Sequence, residues 1–315
     1  MTSRRDFFKS ASLLALGGLV AGKTDFATAN NQAAQNILAS KNIGLQIYSL
    51  GDELFKDVPG GLKRLKQMGY RTLELAGYNN GKIRDISMPD FKKMCDDAGL
   101  KITSSHLNPP VREYTQQNRQ QIADFWKKAA DEHAAIDVKY IIQPGQPSTR
   151  SIEEVAQVSE VFNEAGKIAK AVGLSFGYHN HEREFSSVIA GGTEMKFGRG
   201  AFRKDDNAKI VYDEMMKNTD PSLVFFELDV YWCVMGQQDP VEYMKKYPDR
   251  ITFLHIKDKS VLGQSGMMNF EMIYKQAYAN GIKHFFVELE GIGPGKQFEG
   301  VKGCADYLLK AKFVK

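Results

Sequence analysis

The sequence predicts a single (β/α)8 barrel, an α/β fold, and three features of the 315-residue chain indicate it. Eight short apolar runs alternate with eight helical patterns between residue 42 and the end. Most of these runs are apolar throughout, which is typical of parallel strands covered by helices on both faces. Residues 42–315 also give the usual length of such a barrel, about 250 residues. An open doubly wound sheet is the alternative that the same alternation allows.

The predicted strands are short runs rich in Val, Ile, Leu, Phe and Tyr, the residues that favour extended, half-buried backbone. Most of them finish on a polar or ionisable side chain. The runs are Ile43–Leu50, Tyr70–Leu75, Leu100–His106, Val138–Gln143, Leu174–Gly177, Leu223–Asp229, Ile251–His255 and Phe285–Glu288.

The segments between these runs carry helix signals. Ser87 is placed to cap the second helix, and Ser151 with Glu154 has the spacing of a capping box at the start of the fourth. Gly69 and Gly99 stand where a left-handed residue ends a helix. The predicted helices cover 58–68, 88–98, 116–134, 152–172, 208–218, 240–247, 270–280 and 301–312, and 186–206 is predicted to be a long loop.

The first 29 residues are predicted to be an export signal. Ser3-Arg4-Arg5-Asp6-Phe7-Phe8-Lys9 resembles the twin-arginine motif, and Ala11–Gly22 is an apolar stretch too short to span a bilayer. Ala27-Thr28-Ala29 fits a small-residue cleavage site. We therefore predict a signal at 1–29, a linker at 30–41 and the barrel at 42–315. The protein is expected to be periplasmic, with no stable membrane span after processing.

Charge and cysteine content exclude two classes of protein. The net charge is +4, and residues 1–29 hold four basic and two acidic side chains, so the rest of the chain carries +4 − 2 = +2. Without a basic stripe, a nucleic-acid partner is not expected. The three cysteines are far apart and form no CxxC motif, so neither a disulfide framework nor a cysteine zinc site is expected. The oligomeric state stays open.

Ionisable or amide side chains follow nearly every strand from the second onward. In a (β/α)8 barrel the carboxyl ends of the strands gather at one rim, where active sites lie. The side chains in question are Glu74, His106, Gln143, His179 with His181, Asp229, His255 with Lys257, and Glu288 with Glu290. Any one of them is as readily a hydrogen-bonded loop residue, but their convergence favours a functional site. His133 and His284 lie away from this rim and are expected to be structural.

Four of these side chains are expected to converge on one divalent metal ion, because strands five to eight are neighbours around the rim. They are His179, Asp229, His255 and Glu288. Two imidazoles and two carboxylates, with no thiolate, suit Mn, Zn, Fe or Co better than Ca or a soft metal.

Several sequence motifs together resemble one known family. They are Tyr178-His179-Asn180-His181, Glu227-Leu228-Asp229-Val230-Tyr231-Trp232, Asp239-Pro240, His255-Ile256-Lys257-Asp258 and Val287-Glu288. From about Ile43 to its end, the chain resembles the xylose isomerase-like TIM barrels, a group of sugar isomerases and epimerases that also contains AP endonucleases. The resemblance implies a sugar or keto-sugar substrate and a metal held by the four residues above.

One position departs from the epimerases of this group. Many of them carry a glutamate where His179 stands and pair it with the glutamate of strand eight. A histidine there resembles the inosose dehydratases and a subgroup of exported proteins similar to 3-keto-glycoside lyases. Both isomerase and lyase chemistry are therefore expected as reaction types.

We expect a metal-dependent sugar isomerase/epimerase that abstracts a proton next to a carbonyl through a metal-stabilised enediolate. The alternative is a lyase or dehydratase acting on a 3-keto-glycoside or an inosose-like keto-sugar. Glu288 is the expected base, His181 or Glu182 the opposing acid, and Lys257 the group that neutralises developing charge. Glu74, His106, Gln143 and Trp232 are expected to bind substrate or to orient a ligand.

Two other function classes compete with this reading. An AP endonuclease needs a basic surface facing DNA, and the near-neutral mature chain argues against it. A non-catalytic sugar-binding barrel is disfavoured because all four expected metal ligands are retained.

Overall fold

The computed structural model describes residues 41–111, 113–145, 147, 149–198 and 207–315. The predicted export signal and almost all of the predicted linker lie outside these residues. In the described chain, eight parallel strands close into a barrel in which each strand pairs with its neighbours in sequence and the last pairs with the first. The strands are β1 (Ile43–Gln46), β2 (Tyr70–Leu75), β3 (Lys101–His106), β4 (Tyr140–Gln143), β5 (Ser175–His179), β6 (Val224–Asp229), β7 (Ile251–Ile256) and β8 (His284–Val287). The predicted (β/α)8 fold is confirmed.

A helix follows each strand, and several helices begin and end where the sequence signals predict. The side chains of Ser87 and Ser151 accept hydrogen bonds from the backbone three residues on, and Gly69 ends the first helix with φ of 104°. The helices are α1 (Val58–Met68), α2 (Met88–Asp97), α3 (Arg119–Ala134), α4 (Ile152–Ala171), α5 (Val211–Asn218), α6 (Pro240–Lys246), α7 (Phe270–Ala279) and α8 (Gln297–Lys310). In the described ranges, no helix combines the length and apolarity that crossing a membrane requires.

Strand β1 is shorter than predicted. The Gln46 side chain accepts a hydrogen bond from the backbone N–H of Tyr48 at 3.1 Å, which turns the chain into the short 3₁₀ helix Ile47–Leu50. Gly51, with φ of 51°, continues the turn by donating to the Tyr48 carbonyl at 3.0 Å. A run of apolar residues alone did not distinguish this turn from continued strand.

The loop before α5 also differs from the prediction. Lys209–Ile210 pairs antiparallel with Ser187–Val188, so α5 begins at Val211 and not at residue 208. A second small sheet, formed by Tyr78–Asn79, Lys82–Ile83 and Ile86–Ser87, follows β2.

Aromatic rings fill the barrel near the amino ends of its strands. Phe253 of β7 stacks on His284 at 4.2 Å between ring centres and meets Tyr140 at 4.8 Å. Phe225 is accommodated because Gly177 lies opposite, where an added Cβ would come within 2.4 Å of the ring. His284 is therefore part of the packing on the rim opposite the site, as predicted. His133 is likewise structural: it is buried in α3, and its Nδ1–H donates to the Ala129 carbonyl at 2.6 Å.

Candidate metal centre and active site

The inner face of the barrel changes from aromatic to polar towards the carboxyl ends of the strands. Side chains on a strand alternate between its two faces, so residues two apart share a face. On β7 the inner series runs Phe253, His255, Lys257, and on β6 it runs Phe225, Glu227, Asp229. Gln46, Glu74, Ser104, His106, His179, Glu227, Asp229, His255, Lys257 and Glu288 are all less than 9% exposed. Buried charges of this density persist only when they are paired or bind a cation.

The four predicted metal ligands meet at one point. One donor atom from each of His179, Asp229, His255 and Glu288 lies within 4.8 Å of the others, and all four side chains are buried. Oδ2 of Asp229 and Nδ1 of His255 are buried without a hydrogen-bond partner among the described residues. Buried polar atoms are nearly always paired, so two unpaired donors within one such group fit a bound cation. The residues present therefore match the metal that the sequence implied.

A second group of possible ligands overlaps the first. Donor atoms of His106, His179, Glu227 and His255 also lie within 4.8 Å of one another. Here the side chains already bond each other, since His106 Nε2 lies 2.7 Å from Glu227 Oε2 and His179 Nδ1 lies 3.2 Å from the same oxygen. Glu227 retains one unpaired oxygen, Oε1. The first group is the better candidate because His106 and His179 of the second group are already bonded to one oxygen of Glu227, whereas Asp229 Oδ2 of the first group is unpaired within the described chain.

Glu74 holds one of the candidate ligands in place. Its Oε1 accepts a hydrogen bond from His255 Nε2 at 2.6 Å and another from Gln46 Nε2 at 2.9 Å. Its Oε2 accepts from the Ser104 hydroxyl at 2.6 Å. With Nε2–H donated to this carboxylate, Nδ1 of His255 is the nitrogen left for a metal. Burial lowers the pKa of His255, but Glu227 and Glu288 outweigh it and raise that pKa, so a cation that binds Nδ1 would displace a proton from it. Carboxylate–histidine pairs of this kind fix the ring orientation at metal sites.

Lys257 is buried between carboxylates. Its side chain is 1% exposed, and Nζ donates to Glu288 Oε2 at 2.8 Å and to Glu290 Oε1 at 2.7 Å. The ammonium also lies 4.9 Å from the centre of the Trp232 ring. Lys257 is therefore not a solvated surface lysine.

Burial and neighbouring charges shift the pKa values of the site in opposite directions. Burial raises the pKa of Asp229 to about 7, against the opposing effect of Lys257. Burial works in the same direction on Glu288, but His255 and Lys257 outweigh it and lower the pKa of that carboxyl. Burial and the imidazole of His255 hold the pKa of His179 well below its usual value. Glu288 is then ionised and His179 neutral at pH 7, which are the forms that bind a metal.

His106 belongs to the network below the cavity. Burial lowers its pKa, but the carboxylates of Glu74 and Glu227 outweigh this effect and raise the pKa to about 9. The charged imidazole offsets part of the negative charge of the two buried glutamates. His106 also reaches the surface of the cavity, at 8% exposure.

A cavity of about 460 Å³ opens above the candidate ligands. Its polar lining consists of His106, Asn108, His179, His181, Glu288 and Glu290. Its apolar and aromatic lining includes Tyr48, Ala76, Tyr78, Leu107 and Pro144. Volumes of this order are typical of small-molecule sites.

Three of the predicted substrate-binding residues do not line this cavity. Gln143 shares its face of β4 with Ile141, whereas Ile142 packs with Phe253 inside the barrel. The Gln143 amide accordingly donates outside the barrel interior, to the Tyr114 hydroxyl at 2.6 Å. Glu74 is wholly buried beneath the cavity, and Trp232 packs against Lys257 and His181. Of the predicted substrate-binding residues, His106 reaches the cavity.

Sequence reasoning missed Gln46, Ser104 and Glu227. Each lies two residues from another inner-face residue, namely Gly44, His106 and Asp229. For Ser104 and Glu227 the strand period of two was the signal, because each lies two residues before a predicted site residue. Gln46 has no predicted site residue on its strand, so this signal does not reach it.

The barrel and its cluster of candidate metal ligands define a class of protein, and comparison with known proteins identifies the family. Residues 62–306 match the family model described as xylose isomerase-like TIM barrel. The chain belongs to this family. It is a sugar isomerase/epimerase-like TIM barrel, with inosose dehydratases among its relatives.

Two relatives and one further structure show the range of similarity. A sugar phosphate isomerase/epimerase from Parabacteroides distasonis ATCC 8503 is 52% identical with a TM-score of 0.80, over 88% of this chain and 100% of that one. An inosose dehydratase from Clostridium tetani is 28% identical over 106 residues, which cover 34% of this chain and 29% of the relative. A 3-keto-D-glucoside 4-epimerase from E. coli shares the fold, with a TM-score of 0.61 and 16% identity, over 86% of this chain and 99% of that one.

Proposed function

We propose that this protein is a metal-dependent sugar isomerase or epimerase that removes a proton from the carbon next to a carbonyl. The observation that carries the proposal is the group of four buried ligand-type side chains, two of which, His179 and Glu288, line the cavity. The relative from Parabacteroides distasonis, named as a sugar phosphate isomerase/epimerase, supports the reaction class.

His179, Asp229, His255 and Glu288 would hold one divalent cation, with Mn, Zn, Fe or Co suiting the donor set. When bound, such a cation supplies Lewis-acid polarisation of a carbonyl and a neighbouring hydroxyl. The protein contributes the orientation of its own groups. Glu74 fixes the His255 ring, and the bond of Asp229 Oδ1 to the Trp232 N–H at 2.9 Å fixes that carboxylate.

Glu288 and His181 are proposed as the proton-transfer pair. Both reach the cavity, and Glu288 is anchored through Oε2 by Lys257 at 2.8 Å. Glu288 would accept the proton from carbon, and His181 would return or accept a proton at the neighbouring position. The Lys257 ammonium, bonded to Glu288 and Glu290 behind the cavity surface, would balance negative charge that develops on the sugar without contacting the sugar. Glu182, the other acid considered from the sequence, begins the short 3₁₀ helix next to His181.

A lyase or dehydratase is the second candidate. The same proton removal leads to elimination when the adjacent carbon carries a leaving group, and His181 would then protonate the departing oxygen. The relatives named as inosose dehydratases favour this candidate.

The charge of the cavity favours an uncharged sugar. Glu288 and Glu290 both face it, and the ammonium of Lys257 is already bonded to both. The phosphate of a sugar phosphate would meet these carboxylates at close range. We also propose that the protein is exported to the periplasm through the twin-arginine motif at its amino terminus.

Proton NMR in D2O tests the reaction. The protein with added Mn would be incubated with a panel of keto-glycosides and free sugars, since exchange, inversion and elimination give distinguishable products. Bound metal would be measured in parallel for wild type, His255→Ala and Glu288→Gln, with the exposed Glu160→Gln as a matched control. A protein that holds no divalent metal, with both site variants behaving as wild type, would end the proposal.

A further inference from the structure

Tyr48 stands at the rim of the active-site cavity in an unusual way for a large aromatic residue. Its side chain is 61% exposed and lines the cavity. Within the described part of the chain, its ring has no aromatic partner and its hydroxyl forms no hydrogen bond. The fold therefore does not use this ring for packing.

The backbone of Tyr48, in contrast, is held firmly. Gln46 Oε1 accepts from its N–H at 3.1 Å, and its carbonyl accepts from Gly51 N–H at 3.0 Å. The same Gln46 side chain donates to Glu74 at 2.9 Å, and Glu74 in turn holds His255 at 2.6 Å. The Gln46 side chain therefore connects the turn that carries Tyr48 to Glu74, the residue that holds the candidate metal ligand His255.

The surroundings of Tyr48 define what the ring can bind. Apart from its histidines and glutamates, the cavity is lined by the apolar side chains Ala76, Leu107 and Pro144 and by the ring of Tyr78. A pyranose ring has apolar C–H faces that pack on aromatic rings, as do aryl groups. His179 and Glu288 are nearly buried, whereas Tyr48 is 61% exposed, so a sugar that reacts at the candidate ligands leaves the Tyr48 ring, at the mouth of the cavity, free for whatever is attached to that sugar.

We propose that Tyr48 forms a subsite for a ring, either a second sugar or an aryl aglycone, that is joined to the reacting sugar. The substrate is then a glycoside and not a free monosaccharide. This inference rests on the proposed function, and it assigns to Tyr48 a binding role and no part in proton transfer.

Equilibrium binding tests the subsite. Phenyl 3-keto-β-D-glucoside, methyl 3-keto-β-D-glucoside and 3-keto-D-glucose would be titrated calorimetrically into the Mn-loaded protein. We expect the phenyl glycoside to bind tightest, and Tyr48→Ala to weaken it by about tenfold while leaving the methyl glycoside within about twofold. Tyr48→Phe should keep wild-type affinity, because the ring and not the hydroxyl makes the contact. Met272→Ala, at an exposed position on α7, is the control.

Steady-state kinetics on a turned-over glycoside would give a second readout. Loss of a contact made equally in ground and transition states raises KM and leaves kcat unchanged. Equal affinities for the three ligands, unaffected by Tyr48→Ala, would overturn the subsite while leaving the sugar function intact. Failure of all three to bind would overturn the proposed function as well.

Discussion

His255 Nε2 donates a 2.6 Å hydrogen bond to Glu74 Oε1, although 181 residues separate the two in the chain. Their strands, β7 and β2, are separated around the barrel by β8 and β1. Closure of the barrel therefore brings an acid from the first quarter of the fold against an imidazole from the last. The bond leaves Nδ1 of His255 facing Glu288, 3.4 Å away, as the nitrogen that a metal would bind.

Glu74→Gln tests this support. The variant keeps the size of the side chain but removes the negative charge that orients and polarises the His255 ring. We expect the affinity for Mn or Zn to fall by about 10–100-fold, as is usual when such a partner is lost. Equilibrium dialysis of the metal measures it, with Glu160→Gln as the surface control. Unchanged affinity would show that Glu74 does not act through His255.

Asp229→Asn separates metal binding from folding. Asp229 Oδ1 caps the short helix Val230–Met235, and an Asn oxygen can accept the same bond from Trp232 N–H. The unpaired Oδ2 becomes an NH2 group that cannot bind a cation. We expect bound metal to be lost, while the metal-free free energy of unfolding stays within about 1 kcal/mol of wild type or rises. Metal analysis and urea unfolding test both parts, and retention of wild-type metal content would contradict the assignment.

Gly177→Ala tests the packing beneath the site. Its Cβ would lie 2.4 Å from Phe225 Cζ, and the ring is confined by Tyr140 and Phe253. We expect a loss of about 1–3 kcal/mol in the free energy of unfolding. Phe225→Leu in the same chain should recover part of that loss, because the smaller side chain vacates the contact. Additive effects of the two changes in a double-mutant cycle would argue against the contact.

The buried His133 is expected to make the free energy of unfolding depend on pH. Burial lowers its pKa to about 4 in the folded protein, so the unfolded chain, with an ordinary value near 6.5, binds more protons between these limits. The contribution of His133 to the free energy of unfolding is complete above about pH 6.5 and decreases as the pH drops towards 4. Between pH 7 and pH 5 the loss is about 2 kcal/mol.

Urea unfolding of wild type and His133→Asn over this pH range measures the effect. Asn can still donate to the Ala129 carbonyl, but it does not titrate. The variant is expected to be less stable at pH 7 and to approach wild type as the pH falls. Parallel curves for the two proteins would mean that His133 does not contribute to the pH dependence.

The order of strands and helices was predictable because it depends on local pattern. Val58–Met68 and Tyr70–Leu75 lie where the apolar spacing and the Gly69 stop signal put them. The turn after Gln46 was not predictable in the same way, since it depends on a side chain folding back onto Tyr48 N–H. When a single side-chain contact sets the end of a strand, the sequence shows no periodic pattern that marks that end.

The candidate site, like the fold, was predictable from the sequence only in part. The sequence by itself determined the barrel and the ligand types, because histidines and acids at strand ends can be read from the order of residues. Only the tertiary structure decided which of them meet. The alternation of faces along β4 places Gln143 outside the barrel interior. Closure of the barrel brings Glu74 against His255. It also buries Lys257 between Glu288 and Glu290. These pairings depend on distances between strands far apart in the chain, which local pattern does not encode.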